Sequence, residues 1–176
     1  LHIGHSNHVD QAAWFSNDGE PVNTKCIYTQ SVTFEFLADG NVVRTVGVSP
    51  ADTVALTDIA PDEIIMVYND VHISGILNGS VAILATQDIW IDDDIVYDVN
   101  PLIDPTSDDY LTLIAQSEII LADNAANNDN LNVHGCIFAC VSLYAENYNT
   151  RPLSGVLTSI GSIAQSGRGR ICSANN

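Results

Sequence analysis

One stretch of this chain lies on another thirty residues away, and that match limits the folds open to it. "VAILATQDIWIDDD" (81–94) superimposes on "LTLIAQSEIILADN" (111–124). Val81 falls on Leu111, Ile83 on Leu113, Ala85 on Ala115, Ile89 on Ile119 and Ile91 on Leu121. Polar residues match between them: Thr86 with Gln116, Gln87 with Ser117, Asp88 with Glu118. Alternating apolar positions on either side of a polar corner make the unit strand, corner, strand. Eighteen residues upstream, Ile65, Val67, Val71 and Ile73 take the places of Ile83, Ala85, Ile89 and Ile91. Downstream copies begin at Leu131 and Leu157, with Gly135 and Gly161 expected in the column of Ala115. A small residue suits a corner that a bulky side chain would crowd.

No helical periodicity separates the copies, so a doubly wound βαβ sheet is not expected. The pattern predicts an all-β chain: a single-stranded, right-handed parallel β-helix, a solenoid whose equivalent residues stack coil on coil. An antiparallel β-sandwich is the alternative, since short strands with turns fit it, but it offers no reason for the self-match. Residues 1–60 are expected to form a hairpin and cap, and residues 61–176 the coils, in one compact domain. Within the cap, "TFEFLADGNVVRTV" predicts a β-hairpin turning at Asp39-Gly40, and Ser49-Pro50 stands like a helix start. A cap of this kind shields the open end of a solenoid from edge-to-edge pairing. Two long intervals, 92–110 and 145–155, read as excursions from the coil.

The chain has 22 acidic residues against five basic ones, a formal charge of −17. That balance opposes binding to nucleic acid and to anionic lipid, both of which need cationic neutralisation. Seventeen of the acids are Asp, which favours turns over helices. No apolar run approaches the ~18 residues of a membrane span. The chain opens at Leu1 without a signal peptide and reads as a trimmed or mature fragment.

The phrases "HISG", "DDIVY", "LIA", "ENYN" and the late "RG", spread over residues 64 to 170, resemble an uncharacterised bacterial family known as domain of unknown function 4900. Its members occur in cell-envelope and pilus-associated proteins. The resemblance implies a β-helix and an envelope or extracellular setting, and it supplies no catalytic residues. "GCIFAC" (135–140) departs from the family pattern.

Four sets of residues are candidates for chemistry. "SNDG" (16–19), "DDD" (92–94), "VHG" (133–135) and "RGRI" (168–171) echo the order of a polygalacturonase, but the first two sit more than seventy residues apart. Such an enzyme needs its carboxylates within a few ångströms of each other. Asp92, Asp93, Asp94, Asp98, Asp104, Asp108 and Asp109 crowd one insertion; calcium takes oxygen ligands from such loops, and a solvated acidic surface is the competing account. Asp92, Asp93, Asp94, Asp108 and Asp109 are the calcium candidates, and no other cofactor is expected. His2, His5 and His8 could ligate a transition metal, although they lie near a chain end where fraying is common. His72 and His134 are expected to satisfy a turn or face solvent. Cys136 and Cys140 are too far apart to bridge along a strand and read as buried thiols, while Cys26–Cys172 is a candidate disulfide.

If the repeat sets Val81, Ile83, Ala85, Ile89 and Ile91 inward, then Leu84, Trp90, Ile114 and Ile120 point outward. They form a candidate contact surface with Trp90 as its anchor. The expected function is a non-enzymatic structural or interaction module of a bacterial envelope or secreted protein. The alternative is a module that binds carbohydrate or protein through the Trp90 face and the Asp-rich loop, and a polysaccharide-degrading enzyme ranks third.

Overall fold

Alternation of apolar and polar residues sets the strands. In β7 (Ser80–Ala85) and β9 (Tyr110–Ala115), Val81, Ile83 and Ala85, and Leu111, Leu113 and Ala115, are all buried. Both belong to a computed structural model that describes residues 26–151 and 155–171. Before them come β1 (Ile27–Tyr28), β2 (Val32–Phe36), β3 (Asn41–Val46), β4 (Asp52–Ala55), a single helical turn α1 (Leu56–Ile59), β5 (Ile64–Val67) and β6 (Val71–Leu77). After β7 come β8 (Ile89–Tyr97), then β9, β10 (Ile119–Leu121), β11 (Leu131–Ala139), β12 (Leu143–Ala145) and β13 (Leu157–Gln165). His2, His5, His8, "SNDG" and Cys172 lie outside the described residues.

The thirty-residue match is a parallel register. Val81 pairs with Leu111, Ile83 with Leu113 and Ala85 with Ala115, while Ile89 pairs with Ile119 and Ile91 with Leu121. The upstream copy holds too, with Ile65 beside Ile83 and Val71 beside Ile89. The downstream copy is displaced from its expected register. Ile137 pairs with Leu113 and Ala139 with Ala115, so Ala139, and not Gly135, occupies the small-residue column.

That displacement accompanies the main correction. The strands are not the separate ladders of a β-helix solenoid; they form one large mixed, mostly parallel sheet curled into a half-barrel. Its main path runs β1-β5-β7-β9-β11-β8-β6-β2-β3-β4. β11 makes it continuous: residues 136–139 pair with β9, and Val133 pairs with Ile95 of β8. A self-match reports which segments are parallel neighbours, but not that one nine-residue strand joins both rows. The same single sheet excludes the antiparallel sandwich. Among the described residues, antiparallel pairing is confined to β2–β3 and β3–β4. The N-terminal hairpin extends the sheet, because β2 pairs parallel with β6.

Inside the curl lies the core, in which Phe34, Ile65, Ile73, Leu77, Ile83, Ile89, Ile91, Ile95, Leu111 and Leu113 are fully buried. The strands bend at defined places. Pairing of β6 with β8 shifts register between Ile73 and Gly75. Gly75 has φ +104, and a Cβ there would strike the Phe36 carbonyl oxygen, so only glycine fits.

Local expectations fared unevenly. The β2–β3 hairpin exists, but its connection spans Leu37 to Gly40, closed by Leu37 N–H to Asn41 O and by Asp39 Oδ1 accepting Asn41 N–H. The helical turn begins at Leu56, beyond the expected Ser49-Pro50 start. The Asp triplet 92–94 lies within β8, so the excursion runs only from Asp98 to Asp109.

Candidate functional site

Four strands build the outer face of one arm. Alternation turns Val71, Ile73, Ile89, Ile91, Ile119, Leu121 and Leu143 inward, and the residues between them outward. Register then lines up His72, Trp90, Ile120 and Tyr144 in one row across β6, β8, β10 and β12. The His72 and Trp90 rings stack with centroids 5.7 Å apart and planes 10° from parallel. His72 Nδ1 lies 2.9 Å from Asp92 Oδ2. That hydrogen bond, reinforced by the charges of Asp92 and Asp70, holds the imidazole pKa above its ordinary value against the opposing effect of burial. Ile120 is only 2% exposed although it belongs to the outward row. Burial raises the Tyr144 phenol, helped by the carboxylates of Glu118, Asp88 and Glu146.

A second row of polar residues borders the first. At each corner a carboxylate accepts the backbone N–H one strand along: Asp70 Oδ1 from Asp88 at 3.1 Å, and Asp88 Oδ1 from Glu118 at 3.0 Å. Glu118 Oε1 accepts the Ser142 hydroxyl at 3.2 Å. The polar match of Asp88 with Glu118 in the sequence is therefore a hydrogen-bonded ladder.

The expected contact residues separate into two rows. Trp90 and Ile120 are neighbours, whereas Leu84 and Ile114 pair with each other on the opposite arm. There they continue an apolar row from Ile27 and Met66 to Phe138.

The expected calcium ligands also disperse. Asp92 holds His72; Asp94 accepts the Asn132 backbone N–H at 2.6 Å and its side-chain amide at 3.0 Å. Buried Asp109 accepts the N–H groups of Gly79 at 2.7 Å and Val99 at 2.6 Å, one on each oxygen. Asp93 and Asp108 are exposed. Among the described residues, no three His, Cys, Asp or Glu side chains are grouped to hold a metal ion.

Two histidines have roles that sequence reasoning missed. His72 stacks on Trp90, a pairing legible in the eighteen-residue step that aligns them. His134 is buried between strands, where its Nδ1 accepts the Tyr97 N–H at 3.0 Å and its ring packs 5.3 Å from that of Tyr97. Burial lowers its pKa. Cys136 and Cys140 are not core thiols: Cys140 is exposed, and Cys136 is half-buried with Tyr110 donating to its sulfur at 3.3 Å. Hydrogen bonds from Ser162 and Tyr110 lower the Cys136 pKa. No protein-family model, curated protein or solved structure matches this chain. Among the described residues, no helix is long and apolar enough to cross a membrane.

Proposed function

We propose that this chain is a non-catalytic interaction module, set in an envelope or secreted protein, whose ligand-contacting face is formed by His72, Trp90 and Tyr144, with buried Ile120 between Trp90 and Tyr144 in the row. The observation that carries this reading is the parallel stack of His72 on Trp90, held by Asp92 on a continuous sheet. A rigid aromatic row offers a flat apolar surface at little cost in side-chain entropy, and its ring faces suit a sugar ring or an aliphatic side chain. The envelope setting rests on the resemblance noted above. A non-catalytic role is supported by the carboxylates, since Asp70, Asp88, Asp94 and Asp109 each hold a backbone N–H.

Depletion of the protein from solution by insoluble cellulose, chitin or peptidoglycan tests this reading. Retention is expected on at least one of them and should disappear on Trp90→Ala without loss of the fold. No retention, or retention indifferent to Trp90→Ala, would sink it. A parallel screen against polygalacturonate, xylan, cellulose and simple esters should give no turnover. Activity on any of these, lost on Asp93→Asn or Asp94→Asn, would overturn the non-catalytic assignment.

A further inference from the structure

The sheet has several terminal strands, and they differ in how their outer edges are protected. β1 has two residues, and β4 has four with Asp52 at its start. β12 is covered by the chain's own return, with Ala145 N–H donating to Arg170 O at 2.8 Å. β13 is different. Its nine residues, "LTSIGSIAQ", carry no charge and no proline, and it pairs only with β11 among the described strands. Short length, charge and proline are the usual guards against edge pairing, and β13 lacks all three.

Among the described residues, the interior is also open at this end. Leu131, Val133, Ile137 and Ala139 of β11 are buried, but their register partners on β13 are not, and Ile163 is 43% exposed. Inward bonds to β11 come from Val156 O, which accepts the Leu131 N–H, and from Ser166 N–H, which donates to Ala139 O. By the alternation of a strand, the N–H and C=O groups of residues 157, 159, 161, 163 and 165 face the open edge.

We propose that this edge pairs with the same edge of a second copy, β13 antiparallel to β13, closing a two-fold dimer. Charge along the strand favours that occupant. No acidic residue follows Glu146 in the sequence, and the two charged residues beyond β13 are Arg168 and Arg170. The start of β13 rests on the acidic Asp129-Asn130 turn, with Val156 N–H donating to Asn130 Oδ1 at 3.0 Å. Its end leads to Arg168, which forms no ion pair among the described residues. Antiparallel alignment brings the basic end of each copy toward the acidic turn of the other. A two-fold contact of this kind stops at two copies.

Light scattering after size exclusion, over a wide range of protein concentration, tests the proposal. The expected result is a concentration-dependent dimer. Ser159→Pro removes one edge-facing N–H and leaves the β11 pairing in place, and Ile163→Lys puts a charge on the edge. Each should weaken dimerisation by about tenfold or more while circular dichroism and monomer melting stay near wild type. A wild type that is monomeric at every concentration overturns the proposal. So does a dimer unmoved by both variants, or an open series of larger oligomers. Should Ser159→Pro fail to fold, Ile163→Lys and Arg168→Glu decide the matter alone.

Discussion

Single buried polar groups in this protein act as fasteners between strands, and the chemistry of each fixes what its loss costs. The Asp109 carboxylate uses both oxygens on backbone donors, Gly79 in the β6–β7 connection and Val99 in the β8–β9 connection. Truncation to alanine strands two donors, so Asp109→Ala should lower unfolding free energy by about 2–4 kcal/mol, and Asp109→Asn by less because one acceptor oxygen remains. Chemical denaturation measures both, and equal losses would contradict the two-oxygen assignment. The histidines predict opposite responses to pH. Asp92 raises the His72 pKa above the ordinary value of 6.5, so its stabilisation is full below that value and fades as pH rises through the raised one. Burial lowers the His134 pKa, and its Nδ1 must stay unprotonated to accept the Tyr97 N–H. Its contribution is full above the ordinary value and is lost as pH falls through the lowered one. Melting curves from about pH 5 to 8 should therefore show the deficit of His72→Gln growing toward acid and that of His134→Leu growing toward neutral. Deficits that run the same way would refute the pairing scheme.

Along the strands, the same column of the sheet passes from closed core to open edge. Leu113 and Ile137 are buried, and Ile163 follows them in register but stands at the margin. Leu113→Ala should cost about 2–5 kcal/mol through lost burial and a residual cavity. Ile163→Ala, measured at low protein concentration, should cost under about 1 kcal/mol, as is usual for exposed positions. Similar losses at both would mean that the far end is closed in solution. This column also shows what the sequence made legible. Between 65 and 121 the inward residues recur cleanly, and every one lands in register. Past Leu121 the pattern "LNVHGCIFA" invites Val133 and Gly135 to follow Leu113 and Ala115, yet Ile137 and Ala139 take those places. The reason is physical: β11 is long enough to serve both arms, and apolar alternation has period two, so a slip of four residues leaves every side chain on its proper face. The Trp90 row was legible as an outward face, but which outward residues become neighbours depends on which strands adjoin, and that needed the sheet order.

For the molecule as a whole, charge is the dominant long-range term. Twenty-two acids against five bases leave −17, and seven of those acids lie between 92 and 109. Repulsion among like charges disfavours the compact state unless the charges are spread, paired or neutralised by bound cations. The fold takes the first two courses with these seven. Asp92 faces His72, Asp94 and Asp109 accept backbone N–H groups, Asp98 accepts from the Asn78 amide, Asp104 accepts from Thr106, and Asp93 and Asp108 stand in solvent. Cations should then act by screening, not by coordination. Added salt shortens the reach of repulsion whatever its cation, whereas a coordinated ion stabilises through preferential binding to the folded state. Thermal melts in millimolar calcium chloride and in sodium chloride of equal ionic strength should rise together. Asp93→Asn and Asp108→Asn are the informative variants, because neither carboxylate bonds to another strand among the described residues, and the N–H of neighbouring Asp94 that Asp93 Oδ1 accepts can be kept by an asparagine oxygen. Each should raise the melting temperature slightly in low salt by removing one repelling charge, and the gain should vanish in high salt. A calcium-specific rise that disappears in these variants would show instead that the two carboxylates converge on an ion.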